Sequence, residues 1–171
     1  MGGTAMKQQI GCIIDEVIFY ERETPRRINH AMKVHSFAKA IGELEGLDEQ
    51  TLSILEIAAL LHDIGKRESI NKYNNPTGTF QEIEGPTVAK KILKPYKYSE
   101  EIIERVCYLI GHHHTYNRII GIDFQILVEA DMLVNIFEDS YSHEKIQDVK
   151  ERLFKTKTGI KYLENMFQSN L

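Results

Sequence analysis

Apolar residues recur at helical spacing along most of this chain, and the pattern predicts an all-α fold. From about Met6 to Tyr20, Ile10, Ile13, Ile14, Val17 and Ile18 make one face. Thr24-Pro25 closes that segment and opens a second helix, about 25–44, as N-cap and first helical residue. This helix is expected to bury Ile28, Ala31, Met32, Phe37, Ala38 and Ile41. His30 shares a stripe with Val34, Phe37 and Ile41, at the margin of the buried face. After the turn Gly46-Leu47-Asp48, with Asp48 as N-cap, Ile54, Leu55, Ile57, Ala58, Leu60 and Leu61 form a nearly continuous apolar run. That run predicts a central helix buried on most sides and leading into His62-Asp63, where Gly65 breaks it.

Residues 67–82 differ in character. Asn71, Asn74-Asn75-Pro76, Thr77 and Gly78 predict a loop beside the His-Asp pair, either a pocket lid or a plain surface connection. Pro86 then opens a fourth helix that stops near Pro95. Ser99-Glu100-Glu101 start a fifth. Its stripe of Ile102, Ile103, Val106, Leu109 and Ile110 projects onto His113 within the triplet His112-His113-His114. A sixth helix, Phe124 to about Glu138, turns Ile126, Leu127, Ala130, Leu133, Val134 and Phe137 inward and carries Asp131 on the same face. Glu129 and Asp139 are expected to reach water, and His143 to be exposed. The segment from about 142 to 169 reads as one or two amphipathic helices without chemistry. The whole predicts one compact domain over 1–171, a bundle of about six to eight helices.

Composition narrows the class. At 171 residues with 42% hydrophobic positions the chain can bury a sizeable core. A net charge of -4 argues against a general nucleic-acid surface, though it leaves room for one small nucleotide in a locally positive pocket. Cys12 and Cys107 lie in apolar helical patterns without Cys-x-x-Cys spacing, and read as buried free thiols of a reducing compartment. No run approaches membrane-spanning length and no signal peptide is visible, so a cytoplasmic location is the default expectation. Oligomeric state is not encoded legibly.

Four residues need one explanation: His30, His62, Asp63 and Asp131. Each lies on, or at the end of, a core-facing stripe, where an unpartnered carboxylate is costly. A His-Asp pair at a helix end also fits an ordinary C-terminus, with His favouring the dipole and Asp solvated. Asp131 does not admit that explanation. Two imidazoles and two carboxylates suit one divalent cation with positions left over, and Fe, Mn, Co, Zn, Ni and Mg are not distinguished by this set.

The order His30, His62-Asp63, Asp131 resembles the HD-domain superfamily of metal-dependent phosphohydrolases. The resemblance takes in Ile64-Gly65-Lys66 and Ala130-Asp131-Met132-Leu133 and spans a core of about 26–138. It implies that His30, His62, Asp63 and Asp131 hold one cation that activates water against a phosphate ester of a small molecule, with a nucleotide the expected class. In this reading Asp63 also orients the water, and Lys66 and His113 neutralise phosphate charge. Glu84 is the candidate general acid or base. His112, His113 and His114 are candidates for contacts to substrate or to a second ion. Some members hold that ion with an extra histidine. Here Gln81 stands at that position, four residues before Gly85, so a second firm site is not expected. There is also no Gly-Tyr-Pro signature of the cyclic-dinucleotide-cleaving branch. The competing expectation is a metal- or nucleotide-binding regulatory module without turnover, using the same ligands.

Overall fold

Helix after helix follows the apolar stripes, and no strand occurs among the residues described, 3–167, of this computed structural model. In order these are α1 (Gly3–Tyr20), α2 (Pro25–Leu44), α3 (Glu49–Leu61), α4 (Lys66–Tyr73), α5 (Gly78–Leu93), a 3-10 turn (Lys94–Tyr96), α6 (Glu100–Ile110), α7 (Ile122–Glu138), α8 (His143–Leu153) and α9 (Lys157–Phe167). Predicted residues 168 and 169 lie outside the described range. Asp48 caps α3 as expected, its carboxylate accepting from the N–H groups of Gln50 and Thr51 at 3.0 and 2.9 Å.

The apolar run of α3 has the predicted consequence. Every residue from Ser53 to Leu61 is buried, because α1, α2, α6 and α7 all pack against this helix. The second central helix is α7, buried from Phe124 to Val134 except at Gln125. Two core helices thus deliver polar residues where little water reaches, which is the setting for the chemistry below.

Several expectations need correcting. Residues 67–82 are a loop only over 74–77: α4 and the first turns of α5 occupy the rest, and Pro86 lies inside α5 rather than at its start. The junction depends on close packing. A Cβ on Gly65 would stand 2.5 Å from the Gln81 carbonyl oxygen and 2.6 Å from the Gly85 nitrogen. The turn after His62-Asp63 therefore rests directly on the α5 backbone. Cys12 is exposed, as are Ile18 and Phe137, so their stripes are narrower than the sequence implies. Glu129 does not reach water; it is fully buried. Its carboxylate accepts from the N–H groups of Lys155 and Thr156 at 2.7 and 2.9 Å and from the Thr156 hydroxyl. It thereby supplies negative charge and acceptors just ahead of α9.

Candidate metal centre

Each candidate ligand comes from a different piece of the bundle. His30 projects from the second turn of α2, His62 caps the C-terminus of α3, Asp63 follows in the turn to α4, Asp131 lies mid-way along α7, and His113 follows α6. His30 Nε2 is 3.2 Å from His62 Nε2 and 3.1 Å from Asp131 Oδ1. Asp63 Oδ2 is 3.9 Å from His30 Nε2 and 4.0 Å from His62 Nε2, while Asp131 Oδ1 is 3.6 Å from His62 Nε2. On its other side Asp63 offers Oδ1 to His113 Nε2 at 3.7 Å.

Hydrogen bonding fixes which imidazole nitrogen faces the centre. A carbonyl oxygen only accepts, so His62 Nδ1 donates to Ala59 at 2.8 Å and His113 Nδ1 donates to Ile110 at 2.8 Å. His30 Nδ1 lies 3.1 Å from Glu138 Oε2, another acceptor. In its neutral form each of these rings therefore aims an Nε2 lone pair inward, toward two carboxylates. At 3.2 Å the facing lone pairs of His30 and His62 repel unless positive charge lies between them. His113 Nε2 is buried and makes no hydrogen bond. Imidazole nitrogens and carboxylate oxygens gathered in a buried place are a donor set that fits a divalent cation.

Electrostatics agree with that direction. Burial pushes the Asp63 carboxyl up, but His62, His113 and Lys66 outweigh it and hold it well below the usual range. Burial also pushes Asp131 up, and its bonds with His30 and His62 bring it far down. His30 is lowered by burial, yet Asp131, Asp63 and Glu138 leave it raised overall, as expected where anions await a positive partner. His114 is pushed down to about 4 by burial and by the neighbouring His113, so it is neutral near pH 7 and can ligate.

The remaining candidates separate. Lys66 Nζ is 3.1 Å from Asp63 Oδ2, at the site. Asp63, His113 and His114 form a second group of donor atoms, all within 4.8 Å of one another. Gln81 meets it only through its amide oxygen, 3.4 Å from His114 Nε2. His112 is turned aside: its ring stacks on Tyr108 at 4.3 Å and Nδ1 bonds the Tyr108 carbonyl. Glu84 is also elsewhere. It accepts from Lys72 and Tyr73 and lines a separate cavity with Tyr20 and Glu68. Three residues went unnoticed in the sequence. Glu138, seven residues after Asp131, orients His30 while Lys33 holds its other oxygen. Asn135, four after Asp131, donates to Asp131 Oδ1 at 2.9 Å. Arg27, three before His30, lines the cavity over the centre. Helical spacing from a suspected ligand was the signal for each.

A family model described as HD domain matches residues 27–155. The chain belongs to the HD domain family. Among solved structures, this HD domain is similar to a predicted HD superfamily hydrolase from an uncultured Thermotogales bacterium. The identity is 26% and the TM-score 0.66, over 94% of this chain and 84% of that one. No curated protein matches. HD domains bind divalent metals, and the histidine and aspartate groups of this one suit that role. No helix among the described residues is long and apolar enough to cross a membrane.

Proposed function

We propose that this HD domain is a metal-dependent phosphohydrolase acting on a phosphate ester of a small molecule. The observation that carries the reading is the convergence of three imidazole Nε2 atoms and two carboxylates, with the buried His113 Nε2 left without a hydrogen-bond partner. A divalent cation held by His30, His62, Asp63 and Asp131 supplies Lewis acidity toward a phosphoryl oxygen and acidifies water near neutral pH. Glu138 and the carbonyls of Ala59 and Ile110 keep the imidazoles in the ligating tautomer. Asp63 orients the attacking water, and Lys66 offsets phosphate charge. His113 and His114 meet the phosphate or a weakly held second ion. In the reaction, water oxygen bonds to phosphorus as the ester P–O bond breaks. The leaving oxygen takes up a proton, giving an alcohol and inorganic phosphate. The similar Thermotogales protein, described as a predicted hydrolase, supports the same class.

The test is to measure metal content by plasma mass spectrometry and turnover of nucleotide and non-nucleotide phosphate esters with Mn, Fe and Co. Asp63→Ala is expected to lose both metal and activity while its helical circular dichroism persists. Full metal retention in that variant removes Asp63 from the site. Tight metal binding without turnover of any ester favours a regulatory module instead.

A further inference from the structure

Helix α1 is covered on one side only. Ile13 and Val17 point into the core and are fully buried. The opposite face carries Gly11, Asp15, Ile18 and Phe19, and Arg22 continues it in the turn just past the helix end. Ile18 is 45% and Phe19 67% exposed. Among the described residues they are the one pair of exposed large hydrophobics adjacent in sequence. Single exposed apolar side chains are ordinary on any surface, whereas two side by side make a patch that gains from being covered. Asp15, Glu16, Ile18, Phe19 and Arg22 together line one shallow groove of about 530 Å³. At its far end a Cβ on Gly11 would meet nothing within 4 Å, so a neighbour can approach closely there.

Two charges on this face lack an opposite partner. Neither Asp15 nor the Arg22 side chain makes a hydrogen bond or ion pair among the described residues. The Arg22 guanidinium lies instead over the Phe19 ring, 5.2 Å from its centroid. Seven residues separate the two charges, about 10 Å along the axis, whereas side chains of one helix pair at a spacing of three or four. Glu16, the third charge in the groove, already accepts the Tyr96 hydroxyl at 3.1 Å.

The spacing makes the face complementary to itself. Asp15 stands three positions before Ile18, and Arg22 three after Phe19. When a second copy of the face is turned end for end about the midpoint of Ile18 and Phe19, Asp15 of each copy meets Arg22 of the other. The two Ile18 side chains then meet along one side of the seam and the two Phe19 rings along the other. A parallel pair would set Asp15 against Asp15 and Arg22 against Arg22, and both contacts repel.

We propose that this face of α1 is where a second copy of the chain docks, as an antiparallel two-fold pair held by Ile18, Phe19 and two Asp15–Arg22 ion pairs. The proposal makes no use of the metal centre, so it stands or falls apart from the phosphohydrolase reading. One helix face is a small contact, below about 1,200 Å² in total, which places the dissociation constant on the order of 10–100 µM.

Sedimentation velocity of the full chain from about 2 to 500 µM tests this. A monomer–dimer equilibrium is expected. Phe19→Glu, Asp15→Arg and Arg22→Asp should each weaken it at least tenfold. The double exchange Asp15→Arg with Arg22→Asp should return to within threefold of wild type, because each ion pair is restored with its polarity reversed. Circular dichroism and Tm at low concentration control for folding, and a merely destabilised α1 would not be rescued by the second reversal. A chain that stays monomeric throughout overturns the proposal and leaves the face to a partner of another kind. Dimers indifferent to all three single variants overturn it by placing the contact elsewhere, and failure of the double exchange to rescue overturns the Asp15–Arg22 register. In that register the two Cys12 residues lie roughly 20 Å apart along the axis, too far to bridge. A Cys12–Cys12 disulfide under mild oxidant would overturn the antiparallel arrangement.

Discussion

Replacing Glu138 with Gln tests whether charge behind the His30 ring tunes the metal centre. Glu138 Oε2 accepts the His30 Nδ1 proton at 3.1 Å, and Lys33 occupies the other oxygen. In Glu138→Gln only one oxygen remains. Lys33 is 43% exposed at its side chain and can turn to water, so the amide oxygen goes to His30. What disappears is the negative charge in the bond, not the bond. Hydrogen bonds to charged groups contribute about 1.5–3 kcal/mol and neutral ones about 0.5–1.5 kcal/mol, so the difference is about 1–1.5 kcal/mol. That corresponds to roughly a tenfold loss of metal affinity. Glu138→Ala, which also frees the ring, should approach the roughly 100-fold end of the range for such supporting groups. Competition for Zn or Mn against a chromophoric chelator at fixed pH measures both variants, with urea midpoints as the control on folding. Affinity within twofold of wild type in Glu138→Gln, or equal losses in the two variants at unchanged stability, would refute the reasoning.

Other expectations follow from the same geometry. Glu129→Ala leaves the buried N–H of Thr156 and the partly buried N–H of Lys155 without their carboxylate acceptor. With one buried N–H orphaned at roughly 1–3 kcal/mol the loss should be about 2 kcal/mol, lowering Tm by roughly 4–8 °C for a domain of this size; a loss below about 0.5 kcal/mol contradicts the capping role. Glu56 on α3 is pushed up by burial, but hydrogen bonds from His35 and Lys39 on α2 outweigh that and hold it below 4.5. Its folded pKa is thus the lower one. The contribution is full above about pH 4.5 and lost as pH falls through the folded value. Urea midpoints of Glu56→Gln should accordingly fall less steeply in that acid range than those of wild type, and parallel curves would exclude the effect. Gly65→Ala forces a Cβ into the α5 backbone. It should cost about 1–3 kcal/mol of stability and weaken metal binding with it, whereas an unchanged Tm would show that the junction relaxes freely.

The sequence made the helices with strong apolar stripes legible, along with the four residues that no core would keep polar without cause. Asp131 was readable because a carboxylate four residues after Leu127 and three before Val134 stands among buried neighbours. The same logic failed for Glu129 because α7 has no wide solvent face. Stripe reasoning assumes one, and so assigned Glu129 to water. Helix α4, KRESINKY, was missed because Ile70 is its one aliphatic residue and supplies no period to read. Its place is set by α5 packed against it, which is tertiary information. Glu84 and His112 looked eligible by type and position along the chain. The direction of their side chains depends on Lys72, Tyr73 and Tyr108 and could not be inferred from spacing alone.

The fully enclosed carboxylate of Glu129 sits two positions before Asp131 on the same helix, and its acceptors are spent on the chain just ahead of α9. Helices α8 and α9 are therefore not an independent appendage that could be trimmed or traded among relatives. A chimera that imported another member's last two helices would have to bring a matching residue at position 129, or it would leave a stranded anion beside a metal-ligand candidate. Diversification of α8 and α9 is thereby tied to α7, and the segments should vary together.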